Sequence, residues 1–70
     1  MKSEAIMLGK NLKQMRIKRG LTQSDIACAV NVSCAYLSNI ERGKTNPTLA
    51  TITKLAKAIG VAPEELLKQK

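Results

Sequence analysis

The stretch Thr22–Glu41, TQSDIACAVNVSCAYLSNIE, leaves the rest of the chain few choices of fold. Its punctuation encodes two short helices joined by a tight turn. Thr22 is placed to N-cap the first, and Asp25, three residues on, can reach back to complete a capping box. Leu21 before the cap and Ile26 at the fourth helical position are spaced as a hydrophobic staple. The same grammar then repeats, with Ser33 as cap and Val32 and Leu37 as the staple pair. Between the helices lies Asn31, one of the few non-glycine residue types that tolerates a left-handed backbone. Ile26, Ala27, Val30, Val32, Leu37 and Ile40 turn inward on this pattern. Ser33, Cys34, Ala35, Tyr36, Ser38 and Asn39 are left on the outer side of the second helix.

A short, capped helix carrying small and hydrogen-bonding side chains suits a DNA major groove, provided the protein is basic. Lysine and arginine number 12 against 5 acids, for a net charge of +7 and a pI near 9.9. That balance favours a polyanionic partner, although charge alone also describes a solvated basic surface. Seventy residues allow one small domain, 1–70, with 1–4 and 69–70 expected to fray. Tyr36 is the only aromatic residue, so the core must be aliphatic.

The remaining segments read as three more helices. From 5 to 18, Leu8, Leu12 and Met15 share a face, Lys10, Lys13, Lys18 and Arg19 occupy much of the rest, and Gly20 stops the helix. This basic amphipathic segment could lie on a membrane surface, but its apolar stripe lacks aromatics and is needed for the core. After Glu41, RGKTNP is turn chemistry that also offers donors for phosphate oxygens. Thr48 caps the next helix, 48–59, with Leu49, Ile52, Leu55, Ala56 and Ile59 spaced for the core. Pro63, Glu64 and Glu65 open a last helix, 63–68, where Leu66 and Leu67 supply one apolar residue more than inward packing needs. The fold class expected is all-α, a five-helix bundle with helices near 5–18, 23–29, 34–41, 48–59 and 63–68.

Catalysis finds no foothold in this composition. There is no histidine, no phosphate-cradling glycine loop and no pair of carboxylates set for acid–base work. With two cysteines and no histidine, a zinc site within one chain is not expected, and no cofactor is implied. No run of apolar residues is long enough to span a membrane, and no signal peptide opens the chain. A cytoplasmic setting with Cys28 and Cys34 reduced is the expectation. Cys34, first in its helix and close to the groove, is expected to react with alkylating agents ahead of Cys28.

The segments LGKNLKQMR, GLTQSDIA, VSCAYLSNIERGKTNPTL and LAKAIGV with ELL, in that order and spacing, resemble the Cro/C1 family of lambda-repressor-like helix-turn-helix transcriptional regulators. The likeness runs from about Leu8 to Leu67. One departure is Asn31, where the family usually has glycine. The resemblance implies that Cys34, Ala35, Ser38 and Asn39 meet base edges. It implies that Gln23, Ser33, Tyr36, Arg42, Lys44, Thr45 and Asn46 hold the DNA backbone, with Gln23 also bracing Asn39. It further places Arg16 opposite Glu41 as an internal ion pair. The residues support that pairing independently, because Glu41 is the only acid between Ile26 and Pro63 and would repel phosphate if left free. The competing readings are a solvated Glu41 and a Tyr36 that serves only the core.

The function expected is a sequence-specific regulator that binds double-stranded DNA as a homodimer on a near-palindromic operator, blocking RNA polymerase or contacting it. The rival from another class is an antitoxin-like module that uses the same fold to bind a protein.

Overall fold

The computed structural model describes residues 3–68 as five helices. They are α1 (Ser3–Lys18), α2 (Gln23–Val30), α3 (Cys34–Glu41), α4 (Leu49–Ile59) and α5 (Pro63–Leu66). Of the fraying expected at 1–4 and 69–70, residues 1–2 and 69–70 lie outside the described residues, whereas Ser3 and Glu4 belong to α1.

Each of the first four helices ends on a left-handed residue, Gly20, Asn31, Gly43 or Gly60. Such a residue turns the chain so that amides beyond the helix bond back to its last carbonyls. Asn31 fills this role at φ 61° and ψ 48°, and the next amide, of Val32, reaches back to the Ala27 carbonyl at 2.9 Å. The tight turn of the helix-turn-helix follows from that reversal. At the other ends, Thr22, Ser33 and Thr48 each accept a bond from the amide three residues on. The capping box between Thr22 and Asp25 is complete.

Leu12, Leu37, Ile40 and Leu55 have no exposed surface, and Ile26, Ile52, Ile59 and Leu66 join them in one aliphatic core. α1 packs on α3 and α5, and α4 packs on α2 and α5, so the helix-turn-helix is clamped from two sides.

Five boundaries or burials differ from the sequence expectation, the smallest being α4, which begins at Leu49 with Thr48 as its cap instead of its first residue. α1 begins at Ser3 rather than residue 5, putting Glu4 in the first turn where the helix dipole favours an acid. α2 runs one residue further, to Val30, which still belongs to the core. Leu49 is 69% exposed rather than buried, because it opens α4 one turn beyond Ile52, where no neighbouring helix covers it. α5 stops at Leu66 instead of reaching Lys68. Asn11, 2% exposed on α1, donates Nδ2 to the carbonyls of Leu66 and Lys68 at 2.9 and 2.8 Å. That side chain satisfies carbonyls a longer helix would have left open at its end. Of the leucine pair, Leu66 is fully buried and Leu67 is 43% exposed.

Candidate nucleic-acid interface

Both ends of α3 are tied to the first turn of α2. At the start, the Cys34 Sγ lies 3.5 Å from the Ser24 Oγ. At the end, the Gln23 Nε2 donates to the Glu41 Oε1 at 3.0 Å. Two consecutive residues of one helix thus reach opposite ends of the next, which sets how α3 crosses α2. The sequence reading had Gln23 bracing Asn39. Its side-chain partner is instead Glu41, because the last turn of α3, not its exposed face, lies against the start of α2.

Glu41 also meets Arg16. The guanidinium approaches with Nε at 2.7 Å from Oε2 and Nη2 at 3.1 Å from Oε1, and its remaining Nη1 donates to the Leu21 carbonyl at 2.8 Å. Side-chain exposure is 11% for Arg16 and 3% for Glu41. The two parallel bonds are the fork geometry in which arginine and carboxylate pair most strongly. The one acid in the middle of this face is therefore covered and neutralised, and offers a phosphate no free negative charge.

With α3 held at both ends, Cys34, Ala35 and Asn39 stand exposed on its outer side, and Ser38 is half-buried. Ser33 is exposed and caps the helix, its Oγ accepting from the Tyr36 amide at 3.0 Å. Tyr36 is half-buried and packs partly on the core, so it does not serve the core alone. Gln23 is half-buried as well.

The loop after α3 is held by its backbone. The Gly43 amide bonds the Ile40 carbonyl at 3.0 Å and the Lys44 amide bonds the Asn39 carbonyl at 2.9 Å. Gly43 sits at φ 76°, and a Cβ there would come within 2.8 Å of the Ile6 Cγ1. Only a bare backbone fits against α1 at that point. Gly43 and Pro47 are consequently buried, Thr45 is half-buried, and Arg42, Lys44 and Asn46 project outward beside α3. Every residue that the sequence singles out for DNA lies on α3 or its N-cap, on the loop that follows it, or on the first turn of α2.

Three residues of the packed fold, two of them beside α3, carry roles that the sequence does not show. Ser24 carries no sequence signal, because its distance to Cys34 depends on how two helices cross. Gly9 sits mid-helix, and its ideal Cβ would lie 2.5 Å from the Ile40 carbonyl oxygen and 2.6 Å from that of Glu41. A glycine inside a helical pattern was the available signal for close backbone approach. Asn11, beside the Leu8–Leu12 stripe, gave no signal distinguishing a buried amide from an exposed one.

Asp25 is exposed, and its carboxyl lies below the ordinary value of 3.8, first because the Thr22 backbone amide donates to it and then because of the Thr22 hydroxyl. A carboxyl more acidic when folded contributes stability that is complete above its ordinary pKa and lost as pH falls through the lowered one. The denaturation midpoint of Asp25→Asn is expected below wild type at about pH 6, with the gap closing towards about pH 2.5. A gap unchanged over that range would remove the carboxylate from the account.

Among the described residues, no group of three or more His, Cys, Asp or Glu side chains could hold a metal ion, and no helix is long and apolar enough to cross a membrane.

A capped recognition helix, locked onto the preceding helix and flanked by a basic loop, defines a helix-turn-helix DNA-binding protein. A helix-turn-helix family model matches residues 12–66, and the chain belongs to that family in its Cro/C1-type form. It is 44% identical over 61 residues to the HTH-type transcriptional regulator DdrOP3 of Deinococcus deserti. That alignment takes in 87% of this chain and 47% of the relative, so the chain spans about half of that protein's length. It is 36% identical over 63 residues to the control protein C.BamHI of Bacillus amyloliquefaciens, covering 89% of this chain and 78% of the relative. The crystal structure of the restriction-modification controller protein C.AhdI from Aeromonas hydrophila superposes with a TM-score of 0.87 at 33% identity, over 91% of this chain and 97% of that one. The family is one of DNA-binding transcriptional regulators, not of enzymes.

Proposed function

We propose that the chain regulates transcription by binding a specific duplex as a homodimer, each protomer laying α3 in the major groove of one half of a near-palindromic operator. The observation that carries this reading is the fixing of α3 at both ends by Gln23 and Ser24, which leaves Ala35 and Asn39 exposed on its outer side together with Cys34 at its start. Cys34, Ala35, Ser38 and Asn39 are the base-edge readers. Asn39 can take adenine through a two-bond pair, and Ala35 or Cys34 can accept a thymine methyl. Gln23, Ser33, Tyr36, Arg42, Lys44, Thr45 and Asn46 hold phosphates and thereby set the register. Occupancy of the operator then blocks RNA polymerase or places the protein in contact with it. The outward Leu67, left over once Leu66 has filled the core, supports a second copy meeting this end of the molecule.

Selection of bound duplexes from a random pool tests the reading. The recovered sites should carry a dyad whose half-site centres lie about 34 Å apart, one helical turn, or a multiple of it. Affinity should fall steeply with salt as counterions are released. A site without a dyad, saturated by a monomer in sedimentation, would end the dimer claim, and salt-insensitive capture of a protein would favour the interaction-module rival.

Specificity and affinity should separate by residue. Asn39→Ala is expected to cost about 1–3 kcal/mol on the selected site and to relax preference at one base pair. Lys44→Ala should weaken all sequences alike and lower the salt slope by about one. Identical profiles for the two variants would overturn the division into reader and clamp. Alkylation gives a third measure: both thiols are exposed in the free chain, and operator DNA should shield Cys34 but not Cys28. Unchanged affinity after labelling Cys34 would take that residue out of the interface.

A further inference from the structure

The Glu41 carboxylate is bound from two other helices, and only one of its partners is needed to neutralise it. Arg16 supplies the opposite charge through two bonds. The third bond, from the Gln23 Nε2 to Oε1 at 3.0 Å, adds no charge but does fix a direction. An ionised carboxylate can only accept hydrogen bonds, so the nitrogen of the Gln23 amide must face it and the amide oxygen must face away. A glutamine amide with no such partner can turn over and exchange its donor for its acceptor. This one cannot.

Its position gives that constraint a consequence. Gln23 is the first residue of α2, and the first helical bond runs from the Ile26 amide to the Thr22 carbonyl at 3.2 Å. The amides of Gln23 and Ser24 precede that bond and have no intrahelical acceptor. Glu41 itself, with its side chain 3% exposed, is closed off from any duplex. We infer that Glu41 is a positioning residue for DNA binding, acting through Gln23. It holds the amide so that the second Nε2 hydrogen is offered outward, beside the free amides of Gln23 and Ser24, to a phosphate oxygen of the duplex. This inference rests on the DNA-facing reading of α2 and α3, and it gives the buried acid a part in affinity that a purely structural ion pair lacks.

A double-mutant cycle on DNA affinity tests it, using a duplex recovered from the random pool. Gln23→Ala in the otherwise wild-type chain should weaken binding about tenfold, the worth of one hydrogen bond to a charged acceptor. The salt slope should stay unchanged, because a neutral donor displaces no counterion. In an Arg16→Met, Glu41→Leu background, which removes the acceptor without stranding a charge and is verified as folded by circular dichroism, the same Gln23→Ala change should cost no more than about twofold. A tenfold loss in both backgrounds, or no loss in the wild-type chain, overturns the inference.

Should that background fail to fold, the wild-type chain supplies the deciding measurement. In nuclear magnetic resonance, one Gln23 Nε2 proton should exchange slowly in free protein, and the other should shift when the duplex is added. Equal, fast exchange of both protons overturns the inference. A wild-type chain that recovers no duplex at all overturns the DNA reading first, and the inference with it.

Discussion

Glu41→Gln should lower the melting temperature by at least about 12 °C, the largest loss expected from any single change at the interface. The side chain is nearly isosteric, so packing is kept and only charge is removed. Arg16 would then hold a guanidinium, 11% exposed, facing a neutral amide. Removing one partner of a buried pair typically costs about 3–5 kcal/mol, because the remaining charge stays desolvated without compensation. A domain of this size has roughly 3–10 kcal/mol of stability in all, so the variant stands near the edge of folding. The loss should be largely recovered by replacing both partners with apolar residues, as in Arg16→Met with Glu41→Leu. That pair removes the stranded charge instead of creating it. Thermal denaturation followed by circular dichroism decides the matter. A melting point within about 2 °C of wild type would mean that the pair adds nothing to the fold.

Gly9→Ala should destabilise the protein by about 3 kcal/mol, the upper end of what overpacking usually costs, although alanine is the better helix former. In an exposed helix the same change would stabilise by about 1 kcal/mol. Here the new Cβ would lie 2.5 and 2.6 Å from two carbonyl oxygens of α3. Those atoms belong to backbone, so no rotamer change can relieve the clash, and α1 would have to lift away from α3. Arg16 is on α1 and Glu41 ends α3, so the same displacement would stretch the ion pair. The two effects are coupled, and the Gly9→Ala loss should shrink in the Arg16→Met, Glu41→Leu background. Urea denaturation of the four variants measures this directly. A Gly9→Ala protein as stable as wild type would show that α1 and α3 do not approach so closely.

These two positions mark different degrees of legibility. The pairing of Arg16 with Glu41 could be approached from the chain alone: an isolated acid in a basic, outward-facing stretch calls for a cation, and Arg16 borders the apolar stripe. Gly9 could at most have been flagged as a glycine inside a helical repeat, with nothing to say what approached it. Gln23 shows a third case. Its place at the start of α2 is readable, yet its partner is not, because the choice between Asn39 and Glu41 depends on which face of the last turn of α3 lies against the start of α2. Leu49 failed for a related reason. Helical periodicity assigned it to the inner face of α4, but periodicity does not know where the neighbouring helices end.

What the amino-acid sequence determined by itself is local or statistical in nature. Caps at Thr22, Ser33 and Thr48, left-handed stops at Gly20, Asn31 and Gly60, and the repeat of apolar residues all act within a turn or two of chain. They set the number, order and inner faces of the helices. Charge composition and the small, polar outer side of α3 pointed to DNA by the same short-range means. The tertiary structure decided what depends on atoms far apart in sequence meeting in space. It brought Asn11 to the end of α5, the Gly9 backbone to that of Ile40 and Glu41, and the Gln23 amide to a carboxylate already held by Arg16. Hydrogen bonds and steric contact act over a few ångströms, so their partners exist only once the helices have packed.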